Sequence, residues 1–183
     1  MTQAPTQEPR EFTPASLGPT VTGREVPGNL EVFAAGFFEG AGSALTTVRN
    51  RTVSVSVVEI VSLSPAELLA ATPLPWVLVE APYQRGISGT HWIVFGTASA
   101  RAFREPLTGD EAGPGDEILP AAQESMRDTF NQILAAAGPP LMPLFGRSVA
   151  FAPVTIHVVE DAEALPPELA PPGERVWVVR AQA

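Results

Sequence analysis

The chain has 183 residues, 45% of them hydrophobic and 17% charged, and a formal net charge of −9. That length suffices for one domain with its own core, with or without a tail, and the 11 basic residues form no patch of the kind nucleic-acid phosphates require. All 11 are Arg: without Lys there is no Schiff base or P-loop lysine, and without Cys no disulfide, thiolate nucleophile or Cys-ligated zinc.

Residues 1–28 are rich in Pro, Thr, Gly and Gln without periodicity, which predicts a flexible tail ahead of a single domain over 29–183. This N-terminus lacks the apolar stretch of a secretory signal, and no apolar run reaches the length that crosses a bilayer, so the expected location is the cytoplasm. Asn29 is placed to cap a long helix. Within it Leu30, Phe33, Ala34, Phe37, Phe38, Ala41, Leu45 and Val48 recur at three and four, and Gly36, Gly40 and Gly42 allow another backbone to approach. "RTVSVSVVEIVSL" alternates and predicts a strand over 51–63, and "SPAELLAAT" carries a capping box of Ser64 with Glu67 and opens a short helix.

"PWVLVEAPYQ" and "THWIVFGT" read as strands joined by the tight connection "RGISG", followed by a short helix ending at Gly109. After the charged loop "DEAGPGDE", a second long helix starts near Leu119 or Pro120 and is interrupted at Gly138, Pro139 and Pro140. A strand over 147–159, a loop or turn over 160–173 and a last strand over 174–182 complete the reading.

Shifting the chain by 96 residues lays "AGSALTTVRNRTVSV" over "AGPPLMPLFGRSVAF". Ala41 then meets Ala137, Gly42 Gly138, Leu45 Leu141, Arg51 Arg147 and Val53 Val149. A slightly different offset sets Trp76 over Trp177. Two helix–strand units share some small and apolar residues by chance, but an ungapped run of matches favours duplication of a half-domain, about 29–110 and 111–183. The second copy is expected to lack its last strand, since no stretch up to Ala183 matches "THWIVFGT": either the fold closes differently there or the polypeptide is cut. The expected fold class is α/β (α+β): two helix–strand–hairpin halves, with both long helices on one face of a continuous, mainly antiparallel sheet.

On the second helix, at 100° per residue, Glu124, Arg127, Asp128 and Asn131 share a sector of roughly 100°, opposite Ala122, Met126, Phe130, Ile133 and Ala137. Such a face is what any amphipathic helix turns to water, and it is also where an acid and an amide can act together. His91 and His157 lie in apolar strands and read as core or rim residues, too few and too scattered for a metal site. Ser88 in "GISGT" reads as a turn residue, and "GAGSA" at 40–44 as close helix packing.

The duplicated architecture, the run Asp128-Thr-Phe-Asn131-Gln-Ile-Leu-Ala-Ala-Ala, and Val149 and Pro153 some twenty residues on resemble the chemotaxis phosphatase superfamily of CheC, CheX and the FliY middle domain. "SGTHWIVFGTASARAFREPLTG" is similar to the family's hairpin strand and following helix. The resemblance covers residues 29–180, with about 35 residues of specific likeness. It implies a domain that binds, and hydrolyses the aspartyl phosphate of, a CheY-type response regulator in chemotaxis or a motility switch, with homo- or hetero-oligomeric assembly. Asn131 would then orient the attacking water, Asp128 would engage the regulator's lysine, and Glu124 would stand at a position that is acidic or Ser in relatives. No cofactor or metal is implied on this chain. Three departures stand out: Asp128 is one methylene shorter than the usual Glu, the family's second half-site falls on the apolar Val32 and Ala35, and the Gly138-Pro139-Pro140 break cuts a helix that relatives continue. A catalytically inactive descendant, acting as a scaffold in a motor-switch or signalling assembly, is the alternative.

Overall fold

The structure is a computed structural model and describes residues 27–96, 99–100, 120–169 and 173–183. Most of the expected tail, the helix expected after the first hairpin and the charged loop lie outside the described residues, apart from the helical pair Ser99 and Ala100. The elements in order are α1 (Gly28–Arg49), β1 (Ser56–Leu63), α2 (Pro65–Ala71), β2 (Trp76–Arg85), β3 (Thr90–Gly96), α3 (Pro120–Ala137), a 3₁₀ turn (Pro139–Leu141), α4 (Met142–Phe145), β4 (Ala150–Phe151), β5 (Thr155–Val159) and β6 (Val176–Gln182).

The mixed helical and antiparallel fold class holds: among the described residues every strand pair is antiparallel. The ladders form two sets, with β1 paired to β6, and β2 flanked by β3 on one side and by β4 and β5 on the other. Along β2 the side chains alternate. Val77, Val79 and Ala81 join a core made with Phe37, Ala41 and Leu45 of α1 and Met126, Phe130, Ile133 and Leu134 of α3. Trp76 and Leu78 point the other way, into a second cluster with Leu68 of α2, Val159 and Leu169, against which Val176 and Val178 of β6 pack. β2 is therefore the strand shared by both cores, and the two long helices cover one of its faces.

The helices are held by backbone proximity. A Cβ at Gly40 would lie 2.4 Å from the Ala136 carbonyl oxygen and 2.6 Å from Ala137 Cα, while one at Gly36 would lie 3.2 Å from Pro140 O. Ascending α1 is thus met by descending α3, so the helices run antiparallel. The 96-residue shift carries Gly40 onto Ala136, the residue it touches, so the pseudo-twofold axis passes through this crossing. The same shift relates Gly42 facing the carbonyl oxygen of Val53 to Gly138 facing that of Val149. It also pairs the left-handed residues that end the two helical segments, Asn50 (φ 47) and Gly146 (φ 62). Finally, it sets β1 on β5, so that the β1–β6 and β5–β2 ladders correspond. Duplication is built into the geometry. The register corrects one match: Val159 pairs Trp76 while Leu63 pairs Val176, which makes Val176, not Trp177, the counterpart of Trp76. A one-residue slip puts a side chain on the opposite face, as here.

Three boundaries also differ from expectation. Pro27, with no side-chain cap, precedes the first helix, which leaves Asn29 inside the first turn. β1 begins at Ser56 because the segment before it is spent on α1: Val53 N–H donates to Thr46 Oγ1 (3.0 Å), and that hydroxyl donates back to Val53 O (3.3 Å). The expected strand over 147–159 is two strands, because Pro153 supplies no N–H to a ladder. The capping box of α2 forms as read, with Glu67 N–H donating to Ser64 Oγ and Ser64 N–H to Glu67 Oε2.

Replacing Gly40 by Ala should lower stability by roughly 1–3 kcal/mol, since backbone atoms cannot yield as a flexible side chain does. Urea unfolding checks this, with Gly28→Ala, whose Cβ meets nothing within 4 Å, as the control that is not destabilised. Equal stabilities for the two variants would contradict the close crossing.

Candidate functional site

α3 is unbroken from Pro120 to Ala137, and its opening proline suits a first helical turn. Met126, Phe130, Ile133, Leu134 and Ala137 are buried, which fixes the rotation of the helix about its axis. Glu124 and Asp128 are consequently exposed, one helical turn apart, with no hydrogen bond or ion pair to another described residue. Arg127 and Asn131 flank them, half-buried. Thr129, buried, turns its hydroxyl to Ser125 O at 2.9 Å and so stays inside the helix's own hydrogen bonding.

The three residues singled out from sequence are therefore brought onto one side of one helix, but not on equal terms. Asp128 and Glu124 face water. Asn131 reaches the sheet: the N–H of Val154 donates to its Oδ1 at 3.0 Å. Sequence reasoning missed that tie. The signal for it was Pro153, which interrupts a Val-rich strand and leaves the next backbone donor to find a partner elsewhere.

The pseudo-twofold axis shows what the first half lacks. It carries Asp128 onto Val32, Asn131 onto Ala35, Pro153 onto Val57 and Val154 onto Val58. Val58 is the residue skipped in the β1–β6 register, a bulge where the second half has its break. Val32 is 57% exposed and Val58 62% exposed, so the counterpart of the polar face is an apolar one.

The arrangement offers carboxylate acceptors and an amide on successive turns of a rigid element. Such a surface can meet a cation with its acids and an oxygen acceptor with an amide N–H. Among the described residues no group of three or more His, Asp or Glu is placed to hold a metal ion. His157 lies on the far side of the sheet from α3, its Nε2 2.8 Å from Glu80 Oε2 and its ring beside Trp92. Ser88 is an exposed residue of the β2–β3 turn. No described helix is long and apolar enough to cross a membrane.

Comparison with known proteins gives a consistent answer. The chain is 24% identical over 131 residues to the flagellar motor switch phosphatase FliY of Bacillus subtilis; the match takes in 69% of this chain and 34% of that protein, about a third of the relative's length. Among solved structures, FliY of Thermotoga maritima aligns with a TM-score of 0.74 at 16% identity, over 86% of this chain and 83% of that one. FliM of H. pylori, in a complex with SpeE, aligns with a TM-score of 0.66 at 12% identity, over 86% and 82%. No protein-family model matches the chain.

The other histidine belongs to the core beneath α1. The His91 ring stacks on Phe37 (4.6 Å between centroids), lies near Phe33 and Phe151, and its Nδ1 is 3.3 Å from the Tyr83 hydroxyl. Burial pushes its pKa down to about 4 and pushes that of Tyr83 above its ordinary range. Because the folded state disfavours the charged ring, its contribution to stability is complete above the unfolded value near 6.5 and is lost as pH falls toward 4. Relative to His91→Phe, the wild-type chain should lose about 1.4 kcal/mol per pH unit across that window. Urea unfolding at several pH values checks this; parallel pH profiles for the two proteins would show that His91 does not titrate there.

Proposed function

We propose that this chain is a CheC-like domain of the kind found in FliY and FliM, and that its α3 face binds the phosphorylated receiver domain of a CheY-type response regulator and hydrolyses the aspartyl phosphate. The observation that supports this reading is the placement of exposed Asp128 and half-buried Asn131 one turn apart on one side of an unbroken helix whose other side is locked into the core.

An acyl phosphate is already reactive, so a catalyst for its hydrolysis has mainly to place a water in line and manage charge. In the step envisaged, water oxygen bonds to phosphorus while the bond from phosphorus to the receiver's aspartyl oxygen breaks. The carboxylate leaves, and the water proton passes to solvent or to the released phosphate. Asn131 contributes an amide N–H toward the water or phosphoryl oxygen. Asp128, with Glu124 one turn before it, pairs with the ammonium of a receiver lysine. The Mg²⁺ of the reaction belongs to the receiver and arrives with it as part of the substrate. On this reading the domain acts in the cytoplasm, in chemotaxis or a motility switch.

A second reading has its own support. The first half presents Val32 and Ala35 where a polar pair would stand, and a structural neighbour, FliM, is found in complex with SpeE. A domain of this kind can serve as a scaffold of a switch assembly, alone or as an oligomer, without turning anything over.

The two part on a single experiment. Added to an acyl-phosphorylated CheY-type receiver, the domain should accelerate phosphate release by about 10²–10⁴, and Asn131→Ala should lose most of that gain. No acceleration, or equal rates for the two proteins, removes the catalytic assignment. A complex that then forms regardless of phosphorylation, seen by size-exclusion chromatography, points to the scaffold.

A further inference from the structure

The interruption between β4 and β5 leaves one backbone donor without a strand partner. Pro153 has no N–H, the N–H of Ala152 goes to Pro82 O at 2.8 Å, and the β5 ladder starts only at Thr155. Between them stands Val154, 3% exposed, so water does not reach it freely. A buried amide N–H without an acceptor is costly, and Asn131 Oδ1 is the acceptor supplied, across 23 residues of sequence. A side-chain amide has one accepting end and one donating end. Only the oxygen can face an N–H, so the bond decides which end is which, and among the described residues no other hydrogen bond engages the Asn131 side chain.

We infer that the Val154 N–H is a positioning element of the α3 site: by holding Oδ1 it commits Asn131 to present its amino group, so the site receives an acceptor oxygen at that point and not a donor. This rests on the reading of α3 as a phosphoryl-handling face and narrows it. Asn131 donates to a phosphoryl oxygen or to the lone pair of the attacking water, while the acids nearby take the cation. The first half supplies the contrast. Its counterpart donor, Val58, is exposed and can reach water, and the position that corresponds to Asn131 is Ala35, which has no side-chain acceptor. The amide is therefore required where the break is buried, and the Asp-x-x-Asn run and Pro153 act as one unit.

Three variants of the full chain and two readouts test this. Asn131→Asp keeps an acceptor for Val154 but has no N–H to give. Its Val154 amide should exchange with solvent within about twofold of the wild-type rate, while kcat for phosphate release from an acyl-phosphorylated CheY-type receiver falls about 10²-fold and KM changes little. Asn131→Ala should speed Val154 exchange by at least about tenfold as well as lose turnover. Pro153→Ala leaves Asn131 in place and loosens its anchor, and should lower kcat about tenfold at unchanged KM. The inference is overturned if Val154 exchange is unaffected in Asn131→Ala, or if Asn131→Asp turns over like the wild type. Should the wild-type domain release no phosphate at all, the functional reading falls and exchange alone decides. A protected Val154 N–H with fast-exchanging Asn131 amino protons upholds the orientation; the reverse pattern refutes it.

Discussion

The approach of two backbones at Gly40 governs the helical face of this domain. With no side chain there, α1 lies directly against Ala136 and Ala137 of α3, and a Cβ would sit inside van der Waals distance of main-chain atoms that cannot rotate away. The crossing coincides with the pseudo-twofold axis, so each helix serves as the other's floor. Once α3 is set at that distance, its apolar residues must drop into the core over Val77, Val79 and Ala81. Glu124 and Asp128 are left on the outside as a geometric consequence.

The two halves share a scaffold and differ in chemistry. Both interrupt the first strand of the half at the same place, one with a bulge at Val58 and the other with Pro153. Only the second half buries the interrupted backbone and answers it with a side chain. That side chain, Asn131, is tied to structure at its oxygen and left with two donors at its nitrogen. On the proposed reading such a residue serves structure with one end of its amide and function with the other. The first half, with Val32 and Ala35 in the equivalent places, keeps the frame without the polar groups, so any chemistry resides on one side of the axis.

Much of this was legible in the sequence. The period of Phe33, Phe37, Ala41 and Leu45 gave α1, the Ser64–Glu67 box gave α2, and the ungapped match between residues 41–55 and 137–151 gave the duplication that the glycine contacts bear out. These signals are local or repeat at a fixed shift, and local periodicity survives folding. Long-range competition for backbone groups was not legible. Val53 is drawn to Thr46 and away from a strand, Val154 is drawn to Asn131, and the Trp76–Trp177 match fails because strand register, not residue likeness, sets equivalence. In each case the partner is chosen by tertiary geometry that a pattern along the chain does not encode.

The surface that the account makes functional is the outer face of α3, and a binding footprint tests it most directly. In an NMR titration of the isotopically labelled chain with a CheY-type receiver carrying beryllofluoride as a mimic of its phosphoryl group, amide shifts should concentrate around Glu124, Asp128 and Asn131 and extend to Val154. Val32 and Ala35 on α1 should stay unperturbed. Shifts confined to α1, or to the β1–β6 ribbon, would contradict it.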